Sequence, residues 1–485
     1  MSRALGCLSV VLFISAPVGV AQAEAVSGEA QARAFVLGLS QGKSAELVKG
    51  FDAAMTTAMP PDKLAGLWVQ LTGQLLGFNG IKGTSSETKD GYLVVRVSCD
   101  FVMTDMDIVV VLNAESKISG LRVVSPKVAP TARPQTPKPP FPYSAREVLY
   151  ANAADGSKIG GTLTVPAKGG PHPAVLLITG SGSQDRDETI FGHKPFWVIA
   201  DHLTRAGFAV LRVDDRGVGT STGDAATATI QVHATDVEAG VAFLKTQKDV
   251  DAGRIGLIGH SEGGIIAPIV AARSKHIRFI VSLAGPGVSG AVLNVQQVDA
   301  LLPPESREKP KARAALLAAQ GALAAAVAAG EDEAVIRGLL GKAVDAGSAL
   351  ASEADRAALT PEVRAAQIDG HYKTLASPWI RSFFETDPAV ALRAVKIPVL
   401  ALIGEKDLQV PSGPNLAAIG KALEAGGNED FELHALPGLN HLFQTAKTGH
   451  VKEYGTIAET FSPKVLALIT RWLRVRAGLQ TPGTP

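Results

Sequence analysis

The sequence predicts an α/β protein: a mostly parallel, doubly wound sheet with a helical cap inserted into it, preceded by a small α+β domain. Three observations carry this. From residue 143 onward, short apolar runs alternate with amphipathic stretches at helical spacing, as parallel strands covered on both faces do. One alanine-rich segment without strand character, residues 287–390, interrupts that alternation. A stretch with seven prolines, PKVAPTARPQTPKPPFP at 126–142, separates this part from a first segment of different texture.

At 485 residues the chain exceeds one ordinary domain. Residues 1–23 run Arg3, an apolar stretch, then Ala21-Gln22-Ala23. This is the order of a secretory signal peptide cleaved after Ala23, so a periplasmic or secreted protein is expected. The stretch is short and broken by Pro17, which argues against an uncleaved anchor, and no later segment is expected to span a membrane. Cys7 falls inside this segment and leaves Cys99 alone in the mature chain, which excludes an internal disulfide and a thiolate metal site.

Residues 24–125 begin with helical spacing in ELVKGFDAAM and KLAGLWVQLTGQLLGF. Leu93, Val95, Val97, Cys99 and Phe101 then alternate at period two, followed by DIVVVLN and ISGLRVVS. Helices followed by an antiparallel sheet make a small α+β domain with Cys99 in its core. Nothing there looks catalytic; its candidate role is contact with a cell-envelope component or a second copy of the chain.

After the linker, REVLYANA and KIGGTLTVP read as a hairpin. Then come AVLLITG, FWVIADHLTRAG, FAVLRVDD, VHATDVEAGVAFLKTQ, RIGLIGHS, a helix from Glu262, and FIVSLAG. The cap enters here, where its helices cover the strand ends. PVLALIGEKD, a helix over 415–425, FELHALPG and SPKVLALITRWLRVR close the domain at 476, and 477–485 read as a flexible tail. Charged residues are 19% of the chain and the net charge is +1, so no basic field for nucleic acid exists and function lies in a local site.

The run IGLIGHSEGG, 255–264, stops at a serine between glycines. The pattern G-x-S-x-G is weak alone, since Gly219-Thr220-Ser221-Thr222-Gly223 fits it equally. A strand, a sharp turn and a helix must surround the serine. Ser261 has them; Ser221 lies in a loop. A nucleophilic serine needs a base, and the base an orienting acid, which in this topology follow in the order acid, base. Asp407 ends PVLALIGEKD, and His441 sits in LPGLNHLF after the next strand. Glu405 is the alternative acid. His434, within a strand, and His450, in a polar stretch, are weaker bases, while His260 is expected to pack under the turn.

The oxyanion donors are expected to be the backbone N–H groups of Glu262 and of Ser181, with Gly182 next. The charged run QDRDE, 184–188, suits an ion-pair network with Arg216 as well as it suits substrate contact. Trp379, Phe383 and Phe384 offer apolar surface for a substrate pocket, or anchors for the cap. No metal or cofactor is expected.

The blocks GSGSQDRDE, DDRGVGTSTG, GHSEGG, GEKDLQVP and LPGLNHLF occur in this order within residues 143–476. Together they resemble the α/β-hydrolase superfamily, specifically a bacterial esterase branch related to the serine aminopeptidase-like hydrolases. The resemblance implies an α/β-hydrolase fold and a Ser261-Asp407-His441 triad acting on carboxylic ester or related acyl bonds. The first segment resembles a small α+β domain of unknown function found ahead of such hydrolases and transfers no site residue. The oxyanion loop begins Thr179-Gly180 where the family commonly has His-Gly. The expected function is an exported serine esterase of small to medium acyl groups working through an acyl-enzyme. A peptidase or amidase with the same triad, and a non-catalytic binding protein on a hydrolase fold, are the alternatives.

Overall fold

The computed structural model describes residues 18–74, 78–101, 105–124, 132–351, 353, 356 and 359–479. The signal-peptide reading thus falls mainly outside the described residues; a helix, Val18–Ser40, runs across the expected cleavage position. Of the expected tail, 480–485 also lie outside. The chain divides into two compact units, residues 1–127 and 128–485.

In the first unit, helices Val18–Ser40 and Pro61–Gln74 precede a four-stranded antiparallel meander: β1 (Phe78–Lys89), β2 (Tyr92–Phe101), β3 (Asp105–Leu112) and β4 (Ile118–Val124). Val95, Val97, Cys99 and Phe101 are fully buried, as period-two alternation requires. Phe35, Val36, Leu39 and Leu64 complete that core from the helices. Burial pushes the Cys99 thiol up to about 12, which leaves it protonated and unreactive. Strand β1, FNGIKGTSSETK, was not expected as a strand, because it is polar and lacks an apolar alternation. Its Thr84 and Ser86 hydroxyls donate to the Glu29 carboxylate of the first helix, so a polar contact replaces the apolar one.

The second unit holds β5 (Tyr143–Ala151), β6 (Lys158–Pro166), β7 (His172–Ile178), β8 (Ala209–Val213), β9 (Val250–His260), β10 (Ile277–Leu283), β11 (Val399–Gly404) and β12 (Phe431–Leu436). They form one sheet in the order β5-β6-β8-β7-β9-β10-β11-β12. The β5–β6 and β6–β8 pairings are antiparallel and all others parallel. Alternation explains why the central strands read as unbroken apolar runs. Ala174, Leu176 and Ile178 of β7 face one core with helices Ile230–Lys245, Gly263–Arg273 and Ser412–Ala425. Val175 and Leu177 face the other, with helices Pro195–Arg205 and Pro463–Arg476. Two buried faces need apolar residues at every position. This is the α/β-hydrolase fold.

Strand β7 lies between β8 and β9, so the chain leaves it first to one side and later to the other. The crevice at the carboxyl ends of β7 and β9 is the switch point where such sheets build sites.

Between β10 and β11 lie helices Gly290–Leu301, Pro310–Ala329, Glu333–Ser348, Pro361–Leu375, Pro378–Glu385 and Pro388–Ala394. Asp332, Thr360 and Ser377 cap three of them through side-chain oxygens. Helix Pro310–Ala329 is long and apolar enough to cross a membrane by length and composition, because alanine adds hydropathy without bulk. It packs against helices Gly290–Leu301, Glu333–Ser348 and Pro378–Glu385. Part of the proline-rich stretch is also fastened to the second unit: Arg133 donates to the carbonyls of Phe191, Gly455 and Ile457, and Gln135 to that of Phe461.

Candidate active site

Strand β9 ends at His260, the chain turns at Ser261, and a helix starts at Gly263. Ser261 has φ +53°, a conformation that a serine adopts only under constraint. The constraint is steric. A Cβ on Gly259 would strike the Gly263 carbonyl, and one on Gly263 would strike the carbonyl of Ile178 on β7. The glycines of G-x-S-x-G are therefore what lets the turn close against the neighbouring strand. The Ser261 N–H donates to Leu283 O at 2.8 Å, which fixes the turn to β10.

Asp407 follows β11 and is 3% exposed. Its Oδ1 accepts the backbone N–H groups of Gln409 and Val410, both at 2.8 Å. That leaves Oδ2 for His441 Nδ1, also at 2.8 Å. With Nδ1–H committed to a carboxylate, Nε2 of His441 is the free acceptor. Asn440 shapes the His441 loop by accepting the N–H groups of Leu442 and Gln444 on one oxygen. Glu405 is exposed. His434 meets only Glu432 at the surface, and His450 caps a short 3-10 helix.

The structure thus joins Asp407 to His441. It links them to the serine turn through His260, whose Nε2 is 3.1 Å from His441 O and whose ring centroid is 4.9 Å from that of His441. Among the described residues no hydrogen bond joins Ser261 Oγ to His441. Such contacts commonly tighten only once substrate is bound.

The loop after β7 borders the serine. A Cβ on Gly180 would lie 3.2 Å from Ser261 Cβ. Gly180 N–H donates to Glu188 Oε1 at 2.8 Å and Gln184 N–H to Asp215 Oδ2 at 2.8 Å. The exposed Ser181 between them has no such partner for its own N–H among the described residues. The Glu262 side chain is buried beneath the cap and accepts Trp379 Nε1–H at 2.9 Å. Burial pushes its carboxyl up to about 7, against the opposing pull of Trp379 and the Ser181 side chain. Asp215 is also pushed up to about 7 by burial, although Thr179 and the Gln184 N–H pull the other way. Both line a cavity of about 30 Å³ with Thr179, Gly180 and Gly182.

The run 184–188 makes a different network from the one expected. Arg186 pairs with Asp214 at 2.6 Å and with Glu147, while Asp187 pairs with Lys194 and Arg212. Arg216 turns instead to Asp155 and Asp236. Glu188 points inward onto Gly180 and His260, a role no local pattern announces. Of the three aromatics, Phe383 and Phe384 are buried in the core and anchor the cap. Trp379 alone reaches the serine turn, stacking on Phe383 at 5.6 Å on the way.

Ser221 is bonded on both sides: its Oγ donates to Asp214 O at 2.8 Å and accepts Gly160 N–H at 2.9 Å. Ser221→Ala is expected to lower stability by about 1–3 kcal/mol through the buried groups left unpaired. Thermal denaturation measures this, and turnover per folded molecule should stay near the parent's. Loss of phosphonate labelling in this variant would make Ser221 the nucleophile.

A family model of X-Pro dipeptidyl-peptidases (S15 family) matches residues 155–413, just over half of the chain. The chain belongs to the X-Pro dipeptidyl-peptidase (S15) family. In this S15-family hydrolase, Ser261 and Asp407 lie within the matched span and His441 beyond it. A second family model, described as a protein of unknown function (DUF3887), matches residues 32–121. Esterase EstD of Thermotoga maritima is 32% identical over 214 residues, covering 44% of this chain and 49% of its own. The chain spans about half the length of the curated relatives it matches. Among solved structures, Pyrococcus furiosus esterase Pf2001 is similar at 17% identity and a TM-score of 0.42, over 73% of this chain and all of its own. Proline iminopeptidase of Mycobacterium smegmatis is similar at 19% identity and a TM-score of 0.41, over 69% of this chain and 99% of its own. The S15-family chain thus has the α/β-hydrolase fold and is similar to esterases and S15 peptidases.

Proposed function

We propose that the protein is an exported serine hydrolase that cleaves carboxylic esters of small to medium acyl groups through an acyl-enzyme on Ser261. The observation that supports this most is the Asp407–His441 pair held beside a strained, glycine-flanked serine turn. His441 Nε2 takes the Ser261 hydroxyl proton as Oγ attacks the acyl carbon. The oxyanion is held by the N–H groups of Glu262 and Ser181. Collapse breaks the ester C–O bond, and the alcohol leaves with the proton from His441. Water, deprotonated by His441, then releases the acid and restores Ser261. Residues 1–23 serve as the export signal in this reading, and the first unit contacts a cell-envelope component or a second copy.

Peptide cleavage by the same triad is the second reading, favoured by the family match. Capture of a substrate ammonium would need a nearby carboxylate. Of the carboxyls lining the cavity beside Gly180, Asp214 and Asp236 are already paired with Arg186 and Arg216, and Glu262 and Asp215 are pushed up to about 7 and so are largely neutral in mildly acidic solution. This favours esters. Comparing kcat/KM on p-nitrophenyl esters of graded chain length with that on X-Pro p-nitroanilides decides between them. Ester preference supports the proposal, and anilide preference replaces it with the second reading.

Trp379→Phe keeps a ring over Phe383 and removes the N–H that Glu262 accepts. It is expected to change discrimination between acyl chain lengths by about tenfold, within the 1–3 kcal/mol of a single pocket contact, while acetate hydrolysis changes less. An unaltered chain-length profile would reduce the contact to scaffolding.

A further inference from the structure

Glu188 and His260 stand outside the triad, and both are nearly inaccessible to solvent. Glu188 Oε1 accepts two hydrogen bonds of 2.8 Å, from the Gly180 N–H and from His260 Nδ1. On the far side of the imidazole, Nε2 lies 3.1 Å from the carbonyl oxygen of His441. A neutral imidazole carries one N–H, whereas both nitrogens here face oxygens that accept. A proton between Oε1 and Nδ1 goes to the imidazole, the stronger base, so His260 carries two protons. Glu188 itself has φ +52°, a backbone conformation that a glutamate adopts only when its surroundings enforce it.

We propose that Glu188 and His260 are a buried, charged positioning pair that ties the oxyanion loop to the nucleophile turn and to the loop of the base. This rests on Ser261, Asp407 and His441 being the catalytic residues. Three segments meet at the pair: Gly180 after β7, His260 at the end of β9 beside Ser261, and His441 after β12. The charged or titratable groups facing His260 are Glu188, His441 and Asp407. Burial opposes a charge on His260, but Glu188 and the smaller contributions of His441 O and Asp407 outweigh it and leave its pKa raised. The two charges depend on each other: without the Glu188 carboxylate, burial disfavours the charge on His260.

Two measurements on the full chain test this. Histidine ¹⁵N resonances at pH 8, assigned by the signals lost in His260→Gln, should show both nitrogens of His260 protonated. A single N–H on His260 would overturn the pair. The pH profile of kcat/KM is the second. Glu188→Gln removes the carboxylate that holds the charge on His260, so both fields go together and the acidic limb should stay near the parent's, whereas His260→Gln leaves a carboxylate buried without its partner and should move the limb up by about one pH unit. Each variant should lose about 10–100-fold in kcat with a smaller change in KM, since geometry at the reacting centre is what loosens. A limb that stays put in His260→Gln, or that moves as far in Glu188→Gln, would reduce the pair to packing. Phosphonate labelling of the parent at Ser261 keeps the two ideas separate. If Ser261 is unlabelled, the triad reading fails. If Ser261 is labelled and the limbs do not diverge, only the positioning pair fails.

Discussion

Ser261→Ala is expected to lower turnover of a short ester by roughly three to six powers of ten, as loss of a triad nucleophile does. The fold should be indifferent to the change. Ser261 Oγ makes no hydrogen bond to His441, and the turn is held by the Ser261 backbone and by glycines that the substitution leaves in place. Alanine must accept the same φ of +53°. Its stability should therefore stay within about 0.5 kcal/mol of the parent's, as for changes that break no packed or bonded group. Turnover with a chromogenic acetate, together with mass spectrometry of a phosphonate adduct, measures both halves. Parent-like turnover in this variant would remove Ser261 from the mechanism.

The next largest loss is expected from Asp407→Asn, at roughly 10⁴-fold in kcat, the scale seen when a triad acid becomes its amide. The geometry says why. Asparagine can still accept the N–H groups of Gln409 and Val410 on one oxygen. Its amide NH₂ then faces His441 Nδ1, which must become an acceptor. The ring proton moves to Nε2, and the base can no longer take a proton from Ser261. Glu405→Gln, at an exposed position one turn earlier, should stay within a few-fold of the parent. Steady-state kinetics on the two variants side by side settle the choice, and the reverse ranking would make Glu405 the acid.

Sequence periodicity reveals the frame because each central strand must satisfy two apolar cores at once, as the split of Val175 and Leu177 from Ala174 and Leu176 shows. The candidate residues Ser261, Asp407 and His441 stand out in the sequence for a related reason. Each follows an apolar strand, and chemistry at the carboxyl edge of such a sheet must be carried by those loops. Glu188 was not legible. Its partner His260 lies 72 residues away, and its inward turn depends on a backbone conformation that glutamate rarely takes. Arg216 pairs outside the 184–188 run because several carboxylates lie within reach of one guanidinium, and only packing selects Asp155 and Asp236. Strand β1 was missed because it answers the first helix with hydroxyls rather than apolar side chains.

The cavity beside Ser261 makes folding an acid–base reaction. Glu262 and Asp215 ordinarily ionise near 4.5 and 3.8, and in the folded chain both are pushed up to about 7. Between about pH 4 and pH 7, the folded chain keeps protons that the unfolded chain has already released. Wherever the native state binds more protons, stability falls as pH rises, so these two groups favour the fold most below about pH 4 and penalise it fully above about pH 7. Glu453 has the opposite sign: although burial pushes it up, bonds from Thr448 and neighbouring N–H groups hold it low overall, and it favours the fold only where it is ionised. Near pH 6, the site around Ser261 therefore draws protons from the medium as it assembles, and in unbuffered water it would leave the solution more alkaline.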